Sequence, residues 1–212
     1  MAELAMRMKT VHDAFRRELE RLARAAERAG DDPRLVLRTA AGWEMFTTFL
    51  HIHHTAEDDA LWPQARQALA GRPDGLALLD EMEAEHAALD PLLSAIDATL
   101  ADREAAPERL GELLDALATG LREHLRHEEA EAMPLLESVL TEEQVRRFSE
   151  VNRDRIGAHA HRYLPWILDE ADEETVARTL AGMPEPVRRA YHDEWRAAYA
   201  ALDLWPVPAR AS

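Results

Sequence analysis

At 212 residues the chain is long enough to bury a core of its own without covalent staples. It contains no cysteine, which excludes disulfides, thiolate metal sites, iron–sulfur clusters and thiol nucleophiles. A formal charge of −16 makes nucleic acid and anionic lipid poor partners, and no stretch approaches the roughly 18 apolar residues of a membrane span. Residues 1–5 carry no basic-then-apolar leader pattern, so a cytoplasmic protein is expected. Lys9 is the single lysine among 25 basic residues, a composition that suits a GC-rich bacterial genome.

Ala, Leu, Glu and Arg dominate, β-branched runs are absent, and Gly and Pro fall at punctuation points, which predicts an all-α fold. A first helix is expected over about residues 3–28, with Leu4, Met8, Val11, Phe15, Leu19 and Leu22 on one face. Gly30-Asp31-Asp32-Pro33 stops it and starts a second over about 33–70, with Val36, Ala40, Trp43, Phe46, Leu50 and Leu61 inward. Residues 71–75 read as a turn. A third helix over about 76–102 and a fourth over about 107–140 complete an up-down-up-down antiparallel four-helix bundle. Thr141-Glu142-Glu143-Gln144 is a capping box that opens a fifth helix, and two shorter helices are expected at about 173–181 and 186–202. The division expected is a bundle over residues 1–140 and a helical extension over 141–212. The extension is rich in Tyr and Trp, so it should pack on the bundle or on a partner subunit, which leaves room for a homodimer.

Polar residues interrupt the apolar faces. His12 falls between Met8 and Phe15, and His86 between Met82 and Leu89. His53 and Glu57 share one helix face, as do His124 and Glu128. Such groups are costly to bury unless paired or metal-bound. A repeat links them: a shift of 71 residues carries Leu50, His53, Glu57 and Pro63 onto Leu121, His124, Glu128 and Pro134, and a shift of 74 carries Met8 and His12 onto Met82 and His86. Two copied hairpins facing each other would bring two half-sites together. Imidazole nitrogen with carboxylate oxygen suits iron or manganese, and also zinc, and two carboxylates can bridge a pair of cations.

The set His12, His53-xxx-Glu57, His86, His124-xxx-Glu128, with the acidic-apolar-Pro tails ending at Pro63 and Pro134, resembles the hemerythrin-like (HHE cation-binding) family over residues 1 to about 140. The resemblance implies a four-helix bundle holding two iron ions with an oxo or hydroxo bridge. It implies His12, His53, His86 and His124 as terminal ligands and Glu57 and Glu128 as bridges. The ligand implied is O₂ or a related small molecule such as NO or peroxide, in sensing or redox stress. An enzyme acting on peroxide or NO, or a non-redox zinc-type binding or interaction module, is the alternative.

The pattern departs from oxygen-carrying hemerythrins, which place two His four apart on the third helix; here Met82 precedes His86 and a fifth His ligand is missing. That turns the expectation away from reversible oxygen storage. Asp90 is the substitute ligand weighed, although Pro91 beside it should distort the helix. His54 with Asp58 is the same motif shifted by one residue and is kept as an alternative register. His51 reads as a flank or orienting residue, and His127 with Glu131 as a solvated face. His159, His161 and His192 read as ordinary surface or packing residues. The other acids of Glu57-Asp58-Asp59 and Glu128-Glu129 are expected to be solvated. Pro63 and Pro134 should break their helices or kink them beside the site.

Overall fold

The computed structural model describes residues 2–28, 37, 40–102 and 106–206, and all its regular structure is helical. α1 is Ala2–Arg28. α2 runs Ala41–Ala56, widens into a π-turn over Glu57–Leu61 and continues as Trp62–Ala68. α3 is Pro73–Ala101. α4 runs Pro107–His127, passes through a π-turn over Glu128–Ala132 and ends as Met133–Val139. The Gly30–Pro33 turn and the helix start expected there lie outside the described residues.

Three local expectations change. Pro73 occupies the first turn of α3, so the linking turn is shorter than predicted, with Gly71 in the left-handed region at φ 86°. Pro91 does not interrupt α3; it removes a donor to the carbonyl of Ala87, which lies on the exposed side where water can serve it. Pro63 and Pro134 neither break nor end their helices. Each follows a π-turn in which the N–H of Trp62 bonds to the Glu57 carbonyl, and that of Met133 to the Glu128 carbonyl, five residues back. The added residue relieves the ring of the clash that Pro meets in a regular helix.

α1 to α4 form the bundle, and its apolar interior is split in two. One cluster contains Phe15, Phe46, Leu50, Leu89 and Leu121. The other contains Met8, Leu61, Trp62, Met82 and Met133. Between these clusters in sequence, on all four helices, stand the buried histidines and glutamates.

α5 (Glu142–Ile156) starts at the expected capping box, in which Thr141 accepts from the Gln144 N–H and the Gln144 side chain accepts from the Thr141 N–H. A short turn at Gly157–His159 leads into α6 (Ala160–Leu168), a helix not foreseen as a separate element. α7 is Glu173–Ala181. α8 runs Glu185–Ala190, through a third π-turn at Tyr191–Trp195, to Arg196–Ala200.

These helices pack on their own chain: α5 against α2, and α6 against α1. Trp166 of α6 is fully buried, with its ring 5.2 Å from Phe15 and 4.9 Å from Phe49. A polar latch holds the segment down. Glu18 of α1 is fully buried and accepts from Arg17, Arg21 and the Trp205 indole. Arg17 also donates to the carbonyls of Trp166 and Asp169, and Arg21 pairs with Asp169 and Glu170.

The chain's last described turn closes on Gly42, whose N–H bonds to the Leu204 carbonyl at 2.9 Å. A Cβ at position 42 would lie 2.4 Å from Trp205 Cε2 and 2.7 Å from that carbonyl oxygen. Gly42→Leu should therefore lift the 204–205 segment off and cost about 1–3 kcal/mol. Urea denaturation with near-ultraviolet circular dichroism would read both effects; unchanged stability would show that the contact is not limiting.

Candidate metal centre

The helix positions that should be purely apolar carry His12, His53, Glu57, His86, His124 and Glu128, and all six are buried in one layer. A seventh residue, His54, joins them at 5% exposure. Their ligating atoms fall into two nests: His12, His53 and Glu128 offer donor atoms within 4.8 Å of one another, and so do His54, His86 and His124. The two registers weighed for α2 are thus both used, because consecutive helix residues point about 100° apart and serve opposite sides of the layer. His54 stacks on His86 with ring centroids 3.9 Å apart and 11° between planes, and its Nε2 has no partner.

The two glutamates reach towards both nests, Glu128 as a member of the first. Glu57 approaches His53 Nε2 at 3.4 Å and His86 Nε2 at 3.6 Å. Glu128 Oε2 lies 3.1 Å from His12 Nε2 and 3.9 Å from His124 Nε2. Each carboxylate therefore neighbours one imidazole of each nest. None of their four oxygens accepts a well-formed hydrogen bond, although all are buried. The π-turns begin at these two residues, which ties the position of each carboxylate to the Pro six residues later.

An outer ring of carboxylates fixes the imidazoles. Asp58 takes the Nδ1–H of His86 at 2.8 Å, Glu129 that of His12 at 2.9 Å and Glu85 that of His124 at 2.9 Å. With Nδ1 as donor, the Nε2 of a neutral ring carries a lone pair. Yet the Nε2 atoms of His86 and His124 face each other at 3.1 Å, and those of His12 and His53 at 3.2 Å. His86 and His124, which both donate from Nδ1, then oppose lone pairs that a proton or a metal cation between them relieves, and the unpartnered Glu oxygens ask for a cation too. The donor set fits a metal, and carboxylate–histidine pairs are the usual second layer of a metal site.

Several expectations are corrected here. Asp58 and Glu129 are not merely solvated; each orients a histidine of a facing helix, in both halves of the repeat. Glu85 was missed, though it stands next to His86. His127 is half-buried and shares Glu85 with His124 at 2.8 Å. His51 is exposed and orients nothing among the described residues. Asp90 is exposed and belongs to neither nest. The missing fifth imidazole has a counterpart in His54 on α2, not on α3.

The electrostatics of the layer are lopsided. Burial, reinforced by Glu128 and Asp58, pushes the Glu57 carboxyl well above its usual range. Burial opposes ionisation of Glu128 as well, but His12, His124 and His53 outweigh it and hold its carboxyl down to about 2. Burial also disfavours charge on His12, yet Glu128 and Glu129 overcome this and raise it. Burial and the neighbouring imidazoles depress His53 and His54 well below the ordinary value.

A metal ion must therefore displace protons chiefly from His12 and Glu57. Both are raised, so both hold protons at a higher pH than free groups do. The sign follows: metal affinity rises as pH increases through their titration and falls as pH drops, because protons then win. Calorimetry in buffers of different ionisation enthalpy should detect protons released on metal uptake near neutral pH, and His12→Gln should reduce that release. Uptake without proton release would contradict this assignment.

A family model described as Hemerythrin HHE cation binding domain matches residues 5–136. No curated protein and no solved structure matches the chain.

Proposed function

The chain belongs to the hemerythrin HHE cation-binding domain family, and from that premise we propose that it holds two iron ions and binds O₂, NO or peroxide. The observation that carries this reading is the pair of nests, three imidazoles against two, joined by Glu57 and Glu128. His54, His86 and His124 with the two carboxylates offer five donors, more than the four that zinc usually takes, and nitrogen–oxygen sets of this size suit iron or manganese. His12 and His53 with the same carboxylates offer four, which leaves room for an exogenous ligand on that side. Iron bound here would supply redox-active, Lewis-acidic coordination positions.

The protein's own part is to shape and dry that side. Phe15 lies 5.5 Å from His53, and Phe46 and Trp166 pack on Phe15. An apolar wall of this kind favours a small uncharged ligand over water. Glu129, Asp58 and Glu85 keep three of the imidazoles aimed inward. The role that fits is sensing or a redox stress response. Among the described residues no helix is long and apolar enough to cross a membrane.

The test is optical. Protein loaded anaerobically with ferrous iron and then exposed to air should develop a ferric charge-transfer band in the near ultraviolet. Bleaching on removal of O₂ would mean reversible binding; persistence would mean redox or sensing chemistry. An unchanged spectrum, with iron no better retained than zinc, would overturn the proposal in favour of a non-redox module.

A further inference from the structure

The C-terminal helices form an open cleft, built from residues outside the histidine layer. It measures about 610 Å³, within the range of small-molecule sites. Leu168 of α6, Val176 of α7 and Tyr191 of α8 supply apolar walls, and Leu168 and Tyr191 are buried. The charged lining runs against the rest of the molecule. In a chain of net charge −16, this cleft carries Arg188, Arg196 and His192 against Glu173 alone.

The two arginines differ in their partners. Arg188 is held by the Met183 carbonyl and by Glu185. Arg196 is exposed and has no hydrogen-bond or ion-pair partner among the described residues. Its position depends on the third π-turn, in which its N–H bonds to the Tyr191 carbonyl five residues back. In a regular helix two residues five apart point about 140° away from each other. The π-turn spaces them differently, and both line the cleft. Such turns recur at functional sites, and the other two among the described residues begin at Glu57 and Glu128.

We propose that this cleft binds a small amphipathic carboxylate, its apolar tail against Leu168 and Tyr191 and its anionic head at Arg196 and Arg188. Area and charge both contribute: the walls cover one side of the tail, and the guanidinium groups give charge-assisted hydrogen bonds to a carboxylate. A neutral analogue of the same length would keep only the first contribution.

The experiment is calorimetric titration of the metal-loaded full chain with octanoate, 1-octanol and acetate. Octanoate should bind one per chain and at least about tenfold more tightly than 1-octanol, and acetate should not displace it. The double variant Arg188→Gln, Arg196→Gln should bring octanoate down to the level of octanol with helicity unchanged, and Val176→Asp should remove both. Equal binding of octanoate and octanol to the unsubstituted chain, or none of octanoate, would overturn the proposal whatever the variants do. Octanoate affinity unchanged in the double variant would overturn it as well, placing the carboxylate at the metal centre instead.

Discussion

Glu128→Ala is expected to weaken binding of both metal ions, not one. Its Oε2 lies within 3.9 Å of an imidazole from each nest, so its loss removes a donor from both sites. It also leaves His12 without the carboxylate that raises its basicity most. His54→Leu makes the contrast. It reduces the three-imidazole nest to His86 and His124 while leaving His12, His53 and Glu128 intact, so metal content should fall from two towards one per chain. Because ligation contributes directly to folding, the loss of stability should track the loss of metal in both variants. Elemental analysis after dialysis against a weak chelator reads the difference. One metal held by Glu128→Ala as tightly as in the unsubstituted chain would contradict the shared role of Glu128, and two retained by His54→Leu would remove His54 from the site.

Trp166→Ala carries the largest expected effect on stability. The indole is fully buried between Phe15 and Phe49, and emptying such a site costs about 3–5 kcal/mol. Trp166→Phe should cost far less than that, since the indole N–H has no partner to lose. The alanine variant also opens the apolar wall behind Phe15, whose ring neighbours His53, so a chelator should strip its metal faster. Urea denaturation and the rate of metal loss test the two consequences separately. A small stability change in Trp166→Ala would show that α6 contributes little to the closed bundle.

The parts of the molecule that were legible in the sequence were those governed by period and spacing. The apolar steps of Leu4, Met8, Val11 and Phe15 gave the face of α1, and the Thr141–Gln144 pattern gave the start of α5. The six buried His and Glu residues stood out because polar groups interrupted those same faces. What spacing could not convey was depth around the helix. His53 and His54 are adjacent, and only the packed bundle shows that each faces a different nest.

The orienting acids Asp58, Glu129 and Glu85 were hidden for a related reason: they sit in acidic runs that resemble solvated surface. A signal did exist for two of them, since Asp58 and Glu129 occupy the same place in both copies of the repeat. The π-turns were also out of reach. Pro63 and Pro134 marked an irregularity, but local propensity does not distinguish a break from an inserted residue that keeps the helix going. The burial of Glu18 beneath Arg17, Arg21 and Trp205 depends on a contact spanning 187 positions, which no local pattern announces.

The central claim is a dinuclear site made by two nests and two shared carboxylates, and iron K-edge absorption on anaerobically loaded protein tests it most directly. The account predicts two irons per chain, a first shell of nitrogen and oxygen without sulfur, and an iron–iron distance of about 3.5–4 Å. One iron per chain, or two with no iron–iron scattering, would contradict it.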